Sequence, residues 1–176
     1  MTDTAATSTR PAAFGDLEPE LANTRRVLER VPDEHWEWKP HEKSTPLGRL
    51  ATHLAEIPML AMFVASRDEF NVAGANRWPD GPPTNREGVL AAFDNAVRML
   101  TQAVDAVAPD AWGKTWQLKA GDQVFFSAPR AAALRAFGIS HMVHHRAQLG
   151  VYLRLLDVPV PAIYGPSADE GARPAK

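Results

Sequence analysis

Three of the six histidines share a spacing and a setting suited to holding a metal ion. His141 and His145 are four residues apart in HMVHHRAQL, and His53 lies in HLAEIP on an earlier stretch of chain. On a helix at about 100° per residue with His141 at 0°, His145 falls at about 40° and the apolar stripe of Leu134, Tyr152 and Leu156 between about 20° and 60°, which puts both imidazoles in the middle of the core face. Arg135, Arg146 and Arg154 project from the far side, so turning the histidines to water would bury three guanidiniums instead. His53 sits the same way on its own helix, about 20° from Val64 and about 40° from Ile57. One core histidine bonded to a neighbour would be ordinary. An unpartnered buried polar group costs on the order of 1–3 kcal/mol, so three imidazoles in one apolar interior call for something that satisfies them together. A divalent cation is the economical answer. Imidazoles at i and i+4 leave one helix face together, and a third from a facing helix completes a mononuclear site with open positions.

Several neighbours bear on that site. His144, about 60° from His141 on the other flank, can in geometry replace His145, but the i, i+4 pair lies nearer the centre of the stripe. His144 is therefore assigned a flanking role, as a hydrogen-bonding partner, a gate or a carrier of protons. Glu56, three residues after His53, has three uses open to it: bonding a ligating imidazole, accepting a proton, or pairing with an arginine in solvent. Gln148 faces inward and suits either orienting a bound water or a structural hydrogen bond. His35 and His41 fall in a connection and read as surface or packing residues. Competing patterns fail on particular residues. Met142 follows His141, which removes the H-E-x-x-H protease signature. The last helix carries no inward carboxylate for a di-iron site, and glycine-rich phosphate loops are missing.

Prolines mark the elements that must position these side chains. A helix interior tolerates proline badly, at about 3 kcal/mol, so the proline-poor windows are the candidate helices. From Phe14, the positions Leu17, Leu21, Thr24, Leu28 and Val31 make a bundle seam that starts regular helix near Asp16 or Leu17 and ends at Pro32. A second helix follows Ser44 and Thr45, either able to cap, with Pro46 in the first turn; it runs to about Ser66, with Pro58 expected to kink it. A third lies between Pro83 and Pro109, with Thr84 and Glu87 as a capping box and Leu90, Phe93, Val97, Leu100, Val104 and Val107 inward. A fourth follows Ser127 and Pro129 and continues to about Asp157. Residues 67–83 form a long connection able to carry a crossover. KTWQLKAGDQVFF alternates around Gly121 and Asp122, as a short β-hairpin would. The expected architecture is an all-α, mostly antiparallel four-helix bundle over residues 14–166, with a flexible N-terminus at 1–13 and a solvated tail at 167–176.

Composition sets outer bounds. A chain of 176 residues suits one domain burying roughly 70% of its unfolded surface. Hydrophobic residues at 45% and charged residues at 23% are ordinary globular usage, which speaks against a fibre or a disordered tail protein. A net charge of −2, with 19 basic and 21 acidic residues spread along the chain, supplies no footprint for nucleic acid. The first residues lack the apolar core of a secretory signal, and no run approaches the 18 or so apolar residues of a membrane span, so a cytoplasmic protein with no membrane partner is expected. Zero cysteines exclude disulfides, thiolate ligands and a protein-borne thiol nucleophile, so any sulfur chemistry must arrive with a ligand.

The HLAEIP run at His53, the HMVHHRAQL run from His141, the closing VPVPAIYGPSADE and WEWKP before the second helix together resemble the DinB-like superfamily over roughly residues 14–170. The most specific element is H-x-x-x-H-R-x-Q-L. The resemblance implies a four-helix bundle whose histidine triad binds zinc, nickel or another divalent ion, often as a homodimer. Carried over residue by residue, the triad is His53, His141 and His145, the set that helical geometry selects. Some relatives are thiol-dependent transferases or isomerases using a low-molecular-weight thiol, and others are described only as hydrolases. Ala147 stands where many relatives have glycine, which leaves the ligands intact.

Two readings of function follow. In the first, an enzyme for a small-molecule substrate, three neutral histidines hold an ion whose remaining positions accept water or an external thiol and make it a nucleophile, with Glu56 or His144 moving the proton. Several of Trp36, Trp38, Trp78, Trp112 and Trp116, all placed in connections, are then expected to wall a pocket. In the second, the ion is structural or sensory in a non-catalytic metal-binding or stress-response protein; three protein ligands rather than four favour an open, catalytic position. A third, a metal-free interaction module, is the weakest. Imidazole donors suit zinc, nickel, copper and iron alike, with manganese also admitted.

Overall fold

The computed structural model describes residues 14–171, and the expected flexible N-terminus at 1–13 and the end of the tail at 172–176 lie outside the described residues. Four long helical segments carry the core: α1 (Leu17–Leu28), α2 (Leu47–Ser66), α3 (Arg86–Asp105), and a rod made of α4 (Arg130–Leu134), a π-helical turn (Arg135–Ser140) and α5 (His141–Leu155). Three strands accompany them: β1 (Glu69–Asn71), β2 (Thr115–Ala120) and β3 (Gln123–Pro129).

The seam read from α1 is the buried face: Phe14, Leu17, Leu21, Thr24, Leu28 and Val31 are all within the core. Leu50, Leu54, Ile57, Ala61 and Val64 of α2, and Phe93, Leu100 and Val104 of α3, join them. α2 packs against α3 and α5, and α1 packs against the same two helices. Residues 67–83 therefore carry no diagonal crossing, because the helices they join are direct neighbours. The hydropathy of α2 reaches 1.2 over an 18-residue window, long and apolar enough by composition to cross a membrane, but 72% of that window is buried inside the fold, as a core helix requires.

Some expectations are corrected. The chain is mostly helical rather than all-α, and its strands are not an isolated hairpin. They form a three-stranded sheet in the order β1-β2-β3, with β1 parallel and β3 antiparallel to β2. Gly121, at φ +58°, makes the tight passage between β2 and β3, and a register shift beside Leu118 leaves Phe125 as the bulged residue, 59% exposed. β1 pairs with β2 because Phe70 finds a stacking partner in Phe63 of α2, at 4.9 Å between ring centres, which draws the start of the long connection to the sheet edge.

The caps also differ. Pro46, not Ser44 or Thr45, stands at the N-cap of α2, and Asn85, not Thr84, caps α3 by accepting the Gly88 N–H at 2.8 Å. Short side chains one residue apart compete for the same amide, and the backbone entering the helix decides between them. Arg146 is 3% exposed, not solvated: its guanidinium pairs with the Glu20 carboxylate of α1 at 2.5 Å and donates to the Tyr164 hydroxyl at 2.6 Å. The side of α5 opposite α2 faces α1, so a cation there is buried against a matching anion. The expected solvated tail is tied down as far as residue 171, with Glu170 pairing with Arg26 and Arg30, each at 2.7 Å.

Candidate metal centre

α2 and α5 are adjacent, and the three predicted histidines meet between them. Nε2 of His141 lies 3.3 Å from Nε2 of His53 and 2.9 Å from Nε2 of His145, and one ligand nitrogen from each ring falls within 4.8 Å of the others. The i, i+4 spacing on α5 delivers two rings to one face, and His53 crosses from α2. Beside them the π turn takes up one more residue per turn than an α-helix, and Gly138 within it comes so close to α2 that an added Cβ would stand 3.0 Å from the Ala61 Cβ.

Each outer ring is oriented from behind. His53 Nδ1 lies 3.0 Å from a Glu56 carboxylate oxygen, and His145 Nδ1 lies 2.7 Å from the Gln148 amide oxygen. An ionised carboxylate only accepts, so the His53 proton sits on Nδ1 and its Nε2 carries a lone pair; the amide oxygen sets His145 the same way. Two lone pairs thus face His141, which has one proton to share, while its Nδ1 is buried without a hydrogen-bond partner. A cation at the common point serves all three nitrogens at once. Nitrogens about 2.0–2.1 Å from a tetrahedral zinc stand about 3.3–3.4 Å apart, close to the 3.3 Å between His53 and His141, while the His141–His145 pair is tighter at 2.9 Å. Burial, then the neighbouring rings of His53, His145 and His144, push the His141 imidazole down to about 4, and burial lowers His145 as well, so these rings are neutral and able to ligate at pH 7. The donor set fits a divalent ion.

Glu56 turns out to be neither solvated nor paired with one arginine. It is 6% exposed and takes hydrogen bonds from His53, from Trp78 Nε1 at 2.8 Å, from Arg77 at 3.0 Å and from Arg49 at 3.2 Å. Burial raises its carboxyl, but the bonds from His53 and Trp78 and the charge of Arg49 outweigh this and bring it down to about 2. So weak a base is better suited to orienting His53 than to accepting a proton. Arg49 and Arg77 were missed by sequence reasoning, and Trp78, expected only as a candidate pocket wall, was not foreseen as a donor to Glu56. Arg49 was legible, standing seven residues before Glu56 and so on the same helix face; Arg77 and Trp78 come from a loop whose path no periodicity announces. Gln148 is exposed and holds His145 rather than facing the core. His144 is exposed, its ring 4.8 Å from that of His145, outside the cluster. His35 and His41 are exposed and are not part of it.

A cavity of about 170 Å³ opens beside the cluster, with His53, His141, Glu56 and Arg77 at one end and Ile57, Leu60, Phe63, Phe70, Leu118 and Phe137 around the rest. Its aromatic walls are phenylalanines, not the expected tryptophans: Trp116 and Trp112 are core residues, and Trp36 packs on Gly48. On its other side the cluster meets a polar cleft lined by Arg49, His145, Gln148 and Tyr152.

Comparison with known proteins agrees with this fold. The chain is 27% identical over 158 residues, covering 89% of it and 88% of the relative, to the uncharacterized protein YrdA of Bacillus subtilis (strain 168). Its fold matches a DinB-like protein from Bacillus cereus ATCC 10987 with a TM-score of 0.67 at 17% identity, over 90% of this chain and 100% of that one. A second DinB-like protein, YjoA from Bacillus subtilis, matches with a TM-score of 0.66 at 15% identity, over 88% and 99%. At such identities the likeness is one of fold. The model of the DinB family matches residues 16–176, and the chain belongs to the DinB family.

Proposed function

We propose that this DinB-family chain is a metal-dependent enzyme in which His53, His141 and His145 hold a divalent ion such as zinc or nickel, and that it acts on a small molecule with water or an external low-molecular-weight thiol as the nucleophile. The observation that carries the reading is the convergence of three imidazoles, one ligand nitrogen from each, at the end of an open cavity. An ion held there supplies Lewis acidity and lowers the pKa of a bound water or thiol. The chain's own groups do the rest. Glu56, fixed by Arg49, Arg77 and Trp78, holds His53; Gln148 holds His145; in this reading His144, exposed beside His145, passes a proton to solvent. With no cysteine in the chain, a thiol-transfer reaction must import its sulfur.

A catalytic ion is favoured over a structural one because the apolar core, from Leu54 and Ile57 to Leu149 and Leu153, is continuous without the histidines, which lie at its partly exposed margin. The test is His141→Ala in protein purified without a metal-chelating column. Stoichiometric metal is expected in the parent and absent from the variant, with helical circular dichroism retained and metal-dependent consumption of thiol or hydrolysis of an ester panel lost. Cooperative unfolding of the variant would transfer the ion to a structural role; a parent that binds no divalent ion would end the proposal.

A further inference from the structure

We propose that the apolar cavity beside the histidines is the seat of the substrate's non-reacting body, and that this body is an uncharged aryl or short alkyl group of about phenyl size. The assignment deepens the metal-enzyme reading only in placing the substrate's polar head at His53 and His141; the cavity's preference for an apolar body stands on its own.

Three observations carry it. First, the polar and apolar lining residues are segregated. His53, Glu56, Arg77 and His141 are linked to one another by hydrogen bonds, whereas Ile57, Leu60 and Phe63 continue along α2 away from them. At 1.5 Å per residue, the stretch from His53 to Phe63 is about 15 Å long, room for a head group and a ring in line. Second, the charged groups gather at the polar end, where Glu56 stands between Arg49 and Arg77, and among the described lining residues the far end offers none. A charged body would lose its hydration there without recompense. Third, a volume of about 170 Å³ resembles the roughly 150 Å³ apolar cavity known to take benzene in another protein. The stacked Phe63 and Phe70, 11° from coplanar, contribute to its wall, and Phe137 from the π turn adds a third phenylalanine to the lining.

The test has two arms. In metal-free protein, fluorobenzene followed by fluorine NMR should bind saturably, and Leu60→Trp, which fills the cavity, should remove that binding. Leu118→Trp fills it from the sheet side and serves should the first variant fail to fold. In zinc-loaded protein, benzohydroxamate should bind about ten- to a hundredfold more tightly than acetohydroxamate, the gain expected for burying a ring. Fluorobenzene that does not saturate, together with equal affinity for the two hydroxamates, would overturn the inference. Saturable fluorobenzene with neither hydroxamate binding would support the cavity assignment and overturn the metal-enzyme reading instead.

Discussion

Replacing Glu56 with glutamine keeps the shape of the side chain and removes the charge on which four donors converge. The carboxylate accepts from His53, Trp78, Arg77 and Arg49, and an amide offers one oxygen in place of two, with its NH2 turned toward donors it cannot serve. His53 then loses either its orienting partner or the electron donation that makes its Nε2 a good ligand. Loss of such a partner behind a ligating histidine costs about 10–100-fold in metal affinity, which corresponds to about 1.4–2.7 kcal/mol. The displacement of Glu56 from 4.5 to about 2 sets the companion effect on folding: at about 1.4 kcal/mol per pKa unit, the charged form contributes on the order of 3 kcal/mol. Zinc affinity should be measured at pH 7.5 by competition with a chromophoric chelator, and folding by urea denaturation of the metal-free protein. Trp78→Phe and Arg77→Met, which remove one bond each, should fall between parent and Glu56→Gln in both assays. An unchanged zinc affinity in a folded Glu56→Gln protein would refute the claim that this carboxylate positions His53.

Further outcomes follow from other parts of the fold. The metal-free protein should lose stability as pH falls from 6.5 toward 4, by on the order of 2–3 kcal/mol, because over that window the unfolded chain protonates His141 while the folded state, with this ring down to about 4, does not. Glu56, also depressed, adds a loss as pH falls from 4.5 toward 2. Urea midpoints across pH check both, and His141→Asn should flatten the upper part of the profile. Arg146→Met should destabilise the protein by about 3–5 kcal/mol, since it strands the buried Glu20 carboxylate, and adding Glu20→Gln should recover much of the loss in a double-mutant cycle. Gly48→Ala should lower the thermal midpoint and alter tryptophan fluorescence, because the new Cβ would fall 2.1 Å from Cε2 of Trp36.

The helices and the histidine cluster were legible in the amino-acid order because both rest on local periodicity. The seam Leu17–Leu21–Thr24–Leu28 is one buried face of α1, and His141 and His145 leave α5 together whatever it packs against. Other features needed partners that periodicity does not name. Arg146 looked solvated until α1 supplied Glu20; the β2 and β3 pattern suggested a hairpin until Phe70 brought β1 to its edge. The same holds for Glu56, readable as one carboxylate near one histidine, which becomes a strongly acidic anchor only when a loop more than 20 residues away in sequence delivers Arg77 and Trp78 to it. Spacing along a helix reports which side chains share a face, a property of the backbone alone; charge pairing, desolvation and the volume left between elements depend on what the rest of the chain brings to that face, and are decided when it packs.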